Sequence, residues 1–122
     1  ALGTKTLKQG ESYIFAVALF NMNKDTKTYK LRIKFKEAKT ELSAISVDKE
    51  YMNKWVERNA YVQKSVDGYE KMVEPLLIEV KNIKEGMPVK KGTYIFTVEA
   101  IEITSKGFEN FYSSKDIFIN VE

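Results

Sequence analysis

The chain contains no cysteine and no histidine. The first absence removes disulfides, thiolate metal sites and cysteine nucleophiles. The second removes the commonest general base and the commonest transition-metal ligand. Glycine and proline are also scarce, with 6 and 2 in 122 residues. Arg32 and Arg58 are the only arginines, and Gln9 and Gln63 the only glutamines. Lysine and glutamate dominate instead, the composition expected of a hyperthermophile protein. No run approaches the ~20 apolar residues of a membrane span, and no secretion signal is present. Ala1 stands where an initiator methionine would, which points to signal removal or to trimming from a longer chain.

What is present suffices for one domain with a proper core, since 43% of the residues are apolar. The net charge of +3 is mild. Its lysines are interspersed with Glu37, Glu41, Glu50 and Glu57, without the clustered arginines and interleaved aromatics of a nucleic-acid surface. No nucleic-acid partner is expected.

The stretch Tyr29-Lys30-Leu31-Arg32-Ile33-Lys34-Phe35-Lys36 alternates apolar and cationic residues strictly. As a strand it turns Tyr29, Leu31, Ile33 and Phe35 to a core and Lys30, Arg32, Lys34 and Lys36 to water. One dry and one wet face favours an antiparallel sheet. Residues 12–20 form another strand, apolar on both faces: Tyr13, Phe15, Val17 and Leu19 on one, Ile14, Ala16, Ala18 and Phe20 on the other. That pattern predicts a central strand covered twice, or a second face that meets another chain. The polar link 21–25 predicts a hairpin between these two strands. Further strands are expected at 42–47, at 76–82 after Pro75, at 93–104 with a phase slip near Ala100, and at 115–121, where Ile117, Ile119 and Val121 align.

Between them, Asp48 suits an N-cap, and Tyr51, Met52, Trp55, Val56, Asn59 and Val62 follow helical spacing. The expected fold class is therefore an all-β, immunoglobulin-like antiparallel β-sandwich of about seven strands with one inserted helix. Residues 1–11 would be an N-terminal arm and 12–122 a single domain, its helical insertion near 48–64 and the helix itself over 49–62.

No catalytic constellation emerges. The serines lie outside nucleophile-elbow contexts and have no histidine to activate them. Asp25, Asp48 and Glu50 do not form a calcium-ligand loop, and no glycine loop cradles a phosphate. Neither enzyme activity, a cofactor nor a metal is expected.

Two resemblances add to this reading. Pro88-Val89-Lys90-Lys91-Gly92-Thr93-Tyr94-Ile95-Phe96-Thr97-Val98-Glu99-Ala100 resembles the E–F corner and F strand of fibronectin-III and immunoglobulin-like modules. The resemblance implies that Tyr94, after the Gly92 turn, bonds its hydroxyl to upstream backbone as a tyrosine corner. Leu7-Lys8-Gln9-Gly10-Glu11, followed by Phe15, Val17, Leu19, Asn21 and the strand 29–35, resembles the start of TasA/camelysin-type fibre subunits and archaeal bundling pili. That resemblance implies an arm, Ala1-Leu2-Gly3-Thr4-Lys5-Thr6-Leu7-Lys8, donated to a neighbouring subunit. A groove lined by Ile14, Ala16 and Ala18, where small side chains leave room, would accept it.

The expected function is thus a structural or adhesive module, extracellular or at the cell surface, that self-associates by strand donation or meets another surface protein. The competing expectation is a monomeric protein- or carbohydrate-binding module, or a protease-inhibitor-like domain, that uses loop aromatics such as Phe108, Phe111 and Tyr112.

Overall fold

The computed structural model describes residues 3–40, 56–58, 61–84 and 87–122. Ten strands follow in chain order: β1 (Thr4–Leu7), β2 (Ser12–Phe20), β3 (Lys27–Thr40), β4 (Val56–Arg58), β5 (Tyr61–Val66), β6 (Lys71–Val80), β7 (Ile83–Lys84), β8 (Met87–Pro88), β9 (Gly92–Ile103) and β10 (Glu109–Val121). Seven of them have four residues or more, in line with the expected number. No helix occurs among the described residues. A five-stranded sheet ordered β1-β10-β9-β3-β5 faces a three-stranded sheet ordered β2-β6-β4, and β7 and β8 form a small hairpin. The ladders are antiparallel apart from β1, which runs parallel to β10.

The alternating stretch behaves as its pattern dictates. In β3, Tyr29 and Leu31 are buried and Ile33 and Phe35 half-buried, all packed in the core with Phe96 and Val98 of β9. On the outer face, cations meet carboxylates of β9 and β10: Lys30–Glu109 at 3.1 Å, Arg32–Glu99 at 3.3 Å, Lys34–Glu99 at 3.1 Å and Lys36–Asp116 at 2.7 Å. The Lys34 ammonium, with Arg32, holds the Glu99 carboxyl below its ordinary value, and Lys36 does the same for Asp116. The outer face of the five-stranded sheet is therefore charge-paired.

Several expectations need correction. Residues 12–20 and 28–36 do not form a hairpin. β2 and β3 lie in different sheets, and the 21–26 link is a corner between them. Neither is β2 central: among the described residues it pairs with β6 alone, and its second face is exposed, with Ile14 60% and Phe20 54% accessible. Pro75 sits inside β6 rather than before it. The helix expected over 49–62 gives way at Val56–Arg58 and Tyr61–Val66 to strands β4 and β5. Pairing of β5 with β3 overrides the local 3.6-residue spacing there. The remainder of that helix and the strand expected at 42–47 lie outside the described residues. β9 itself runs unbroken. The slip lies in β10, between Phe111 and Ser113 opposite Ala100, and the outward phase of β9 mixes the buried Ile95 and Ile101 with Thr97 and the paired Glu99.

The tyrosine corner is present. Tyr94 is fully buried and donates its hydroxyl to the Lys90 carbonyl at 2.8 Å. Gly92 has φ 143°, and a Cβ there would stand 2.3 Å from the Lys39 carbonyl oxygen, so only glycine lets β9 begin against the end of β3. Burial pushes the Tyr94 phenol above its ordinary value. The folded state thus holds this proton more tightly than the unfolded chain. Its contribution is complete below about pH 10 and is lost as pH rises beyond that. Tyr94→Phe should lower stability by about 1–3 kcal/mol at neutral pH without altering the fold. It should also weaken the alkaline decline, measured as melting temperature against pH from 7 to 12. Identical profiles for the two proteins would remove the corner from the list of stabilising contacts.

Candidate functional site

The two sheets differ in width, and the difference opens a groove along one side of the sandwich. At one side the sandwich is closed by β5 over β6, where Lys64 and Glu74 form an ion pair. At the other side, β10 of the wider sheet stands across from β2, the edge of the narrower one. Between them runs a groove of about 840 Å³. One wall is β2 from Tyr13 to Phe20, the other β10 from Tyr112 to Ile117, and its floor reaches the core residues Leu31, Val98 and Ala100.

Both walls carry backbone that has no ladder partner among the described residues. In β2, the Asn21 N–H just beyond the strand donates to the Glu70 carbonyl at 2.9 Å, and the register continues as Leu19 with Met72, Val17 with Glu74 and Phe15 with Leu76. Residues that exchange ladder bonds alternate with residues that do not. Tyr13, Phe15, Val17 and Leu19 therefore bond β6, while Ile14, Ala16, Ala18 and Phe20 turn their N–H and C=O to the open edge. The Phe20 carbonyl confirms this phase, since it accepts the Tyr112 hydroxyl from across the groove at 2.8 Å. The same phase explains how Pro75 is tolerated: it lies opposite Ala16 at a position that exchanges no bonds with β2. In β10, β1 covers only Phe118 to Val121, which leaves the earlier residues without a neighbour on that side among the described residues.

The groove's ends are fixed by specific contacts. At one end, the fully buried Asn21 donates its amide to the carbonyls of Asp25 and Val66, each at 2.9 Å. Its side-chain oxygen accepts from the Asn23 N–H at 2.9 Å and from the Tyr29 hydroxyl at 3.0 Å. Burial raises the Tyr29 phenol above its ordinary value. The Tyr29 ring packs 4.9 Å from Tyr112, whose hydroxyl then reaches Phe20. At the other end, Lys5 lies 4.4 Å over the Tyr13 ring.

The residues of the expected arm are tied to their own chain. Thr4, Lys5, Thr6 and Leu7 pair with Phe118, Ile119, Asn120 and Val121. The Gly3 carbonyl accepts the Phe118 N–H at 2.6 Å, and Leu7 is buried in the core. The Lys8 N–H is bonded to Glu11 at 2.6 Å. Ala1 and Leu2 lie outside the described residues. The arm is thus an edge strand of its own sheet, because parallel pairing on β10 gives Leu7 a core site and bonds one side of β1 to Phe118–Val121. Ile14, Ala16 and Ala18 are exposed, and all three line the groove. Tyr94 and Gly92 do not line it.

Tyr112, Ser113, Ser114 and Lys115 complete the groove, and the sequence reading did not group them. A signal was present: Lys115 shares the phase of Ile117, Ile119 and Val121, and its register partner is the core residue Val98. It is a lysine on the inward side of the sandwich. No cluster of three metal-ligating side chains occurs among the described residues. The exposed aromatics Phe108 and Phe111 lie outside the groove, toward the β9–β10 turn.

Comparison with known proteins locates the architecture. No family model matches the chain, and no curated protein matches it in sequence. Among solved structures it is similar to the ASH/PapD-like domain of human CEP192 (PapD-like domain 7), with a TM-score of 0.51 and 10% identity over 98% of this chain and 80% of that one. At that identity the likeness is one of fold, and the fold is an immunoglobulin-like β-sandwich.

The groove geometry predicts a hydrogen-exchange pattern. The amides of Ile14, Ala16 and Ala18 should exchange orders of magnitude faster than those of Phe15, Val17 and Leu19, because only the second set is bonded to β6. Residue-resolved exchange by NMR measures this directly. Equal protection of the two sets would mean that the β2 edge is covered.

Proposed function

We propose that this chain is a protein-interaction module that binds an extended segment of another protein by strand addition in the groove between β2 and β10. One observation carries the reading: the groove combines unpaired strand backbone with a floor of core side chains. Backbone alone offers affinity without selectivity, and an apolar floor alone offers burial without register. Together they provide main-chain hydrogen bonds along an edge and pockets for alternate side chains. The immunoglobulin-like fold is compatible with such a role but does not specify it. A setting outside the cytoplasm, as part of a surface assembly, belongs to this proposal and rests on the sequence resemblances alone.

Self-assembly into fibres is the narrower form of the same reading, with a neighbouring copy supplying the strand. The position of β1 weighs against its first eight residues as that strand. Leaving β10 would expose Leu7, whose burial contributes about 1.5–3 kcal/mol, and break ladder bonds worth ~0.5–1.5 kcal/mol each.

The test is selection of a displayed random-peptide library on the purified protein, followed by affinity measurement on synthetic copies of the enriched peptides. Ala16→Pro removes an edge donor without touching the β6 ladder, and Ser113→Trp fills the groove from the β10 wall. Each should weaken binding at least tenfold while the melting temperature shifts by only a few degrees. Failure to enrich extended peptides, or unchanged affinity in both folded variants, would overturn the proposal.

A further inference from the structure

Resting on the strand-accepting reading above, we infer that the partner segment is acidic as well as apolar, carrying a carboxylate on its inward face that meets Lys115. The inference starts from the placement of charge. On the outer face of the five-stranded sheet, Lys30, Arg32, Lys34 and Lys36 each meet a carboxylate of β9 or β10. The groove is different. Among the described residues Lys115 is the only charged one lining it, and no carboxylate does. Among the described residues no ion pair or hydrogen bond engages the Lys115 ammonium, nor does a carboxylate pair with Lys5, which rests on the Tyr13 ring.

Lys115 is also on an unusual face. Its register partner Val98 and its same-face neighbours Ile117 and Ile119 belong to the core, yet Lys115 remains exposed because the narrower sheet stops short of it. Gly3 helps to hold it there: a Cβ on Gly3 would lie 3.8 Å from the Lys115 Cε, so the lysine stem runs along the end of β1. A strand laid between β2 and β10 would cover this cation with apolar neighbours on both sides. An incoming carboxylate at that point supplies the missing counter-charge, and an incoming lysine would create an unpaired like-charge contact in a partly dehydrated groove.

The same argument selects among occupants. The β1 strand of a second copy carries Lys5, with Lys8 just beyond it, and no acid between Thr4 and Lys8, so it mismatches the groove in charge. An extended segment with small apolar residues toward Leu31, Val98 and Ala100 and one glutamate or aspartate in the same phase matches it. Ser113 and Ser114 add hydroxyl groups along the β10 wall.

The experiment uses three acetylated, amidated peptides of alternating valine and serine, differing only in a central inward-phase residue: glutamate, glutamine or lysine. Binding to the whole protein is measured by calorimetry at low and high salt. The glutamate peptide should bind about tenfold more tightly than the lysine peptide, the glutamine peptide should fall between them, and the difference should shrink at high salt. Lys115→Met should abolish the preference while retaining binding, and Lys115→Glu should invert it. Lys115 is exposed, so both variants should fold, as melting curves would verify. Binding of all three peptides with equal affinity would overturn the acidic-partner inference and leave strand addition standing. Binding of none, in a protein whose displayed-library selection also fails, would overturn both. Preference for the lysine peptide, or a concentration-dependent dimer strengthened by Lys115→Glu, would assign the groove to the basic arm of a second copy and overturn the inference.

Discussion

The side chain of Asn21 organises the molecule more than any other single group. It sits where the chain leaves the narrow sheet for the wide one, wholly buried, with its amide and its oxygen both satisfied. A buried carboxamide without partners costs several kcal/mol, so the surrounding backbone must close on it in one arrangement. Its carbonyl partners come from the 25 and 66 positions, and its phenol partner is Tyr29. The corner also needs Gly68, since a Cβ there would lie 1.9 Å from the Lys24 carbonyl oxygen. Tyr29 then sets Tyr112, and Tyr112 bonds the Phe20 carbonyl. This chain of contacts fixes the distance between β2 and β10 at one end of the groove. Without it the two edges could approach each other and bury the exposed apolar side chains of β2.

Much of this organisation was legible in the sequence. The alternation from Tyr29 to Lys36 identified the inner and outer faces of β3, and the Gly92–Tyr94 spacing identified the corner at the start of β9. Both are local patterns whose physical cause lies within a few residues. Sheet membership was not legible. A polar link of five residues suits a hairpin and a corner between sheets equally well, and only the long-range closure on Asn21 decides between them. β4 and β5 were missed because Val56, Asn59 and Val62 fit a helical stripe, while the pairing of Val62 with Leu31 is non-local. Of the groove, Ile14, Ala16 and Ala18 were legible from an apolar second face on β2. Lys115 could have been read from its phase with Ile117, but a lysine at the start of a strand ordinarily signals solvent.

An exposed strand edge beside an apolar face invites unwanted pairing, and this chain manages it with charge. Lys5 rests on Tyr13 at one end of β2, and Lys71 lies 6.0 Å from the Phe20 ring at the other. Lysines at such positions repel a second copy of the same edge, which approaches with the same charges, and they do not repel an acidic strand. The guard and the selectivity are therefore the same residues. This also accounts for the contrast between the two surfaces: cations of the outer sheet are paired, whereas among the described residues no carboxylate pairs with those around the groove.

Energetics explain why the groove must be rigid before anything binds. Ordering an extended segment costs about 1–2 kcal/mol per residue, while each ladder bond returns about 0.5–1.5 kcal/mol. Main-chain pairing alone is therefore near balance, and affinity depends on what is buried. Side chains reaching Leu31, Val98 and Ala100 would bury apolar area at about 25 cal/mol per Å². That gain appears as binding only if the protein's own edges need no further ordering. β2 is held along its length by nine register pairs with β6, and β10 by its ladder with β9, so both walls stand in place beforehand. The bulge at Phe111/Ser113 belongs to the same logic: it turns Tyr112 across the groove to Phe20 and leaves Ser113 and Lys115 in phase with the core residues they adjoin. A regular strand in its place would lose either the strut or the groove wall.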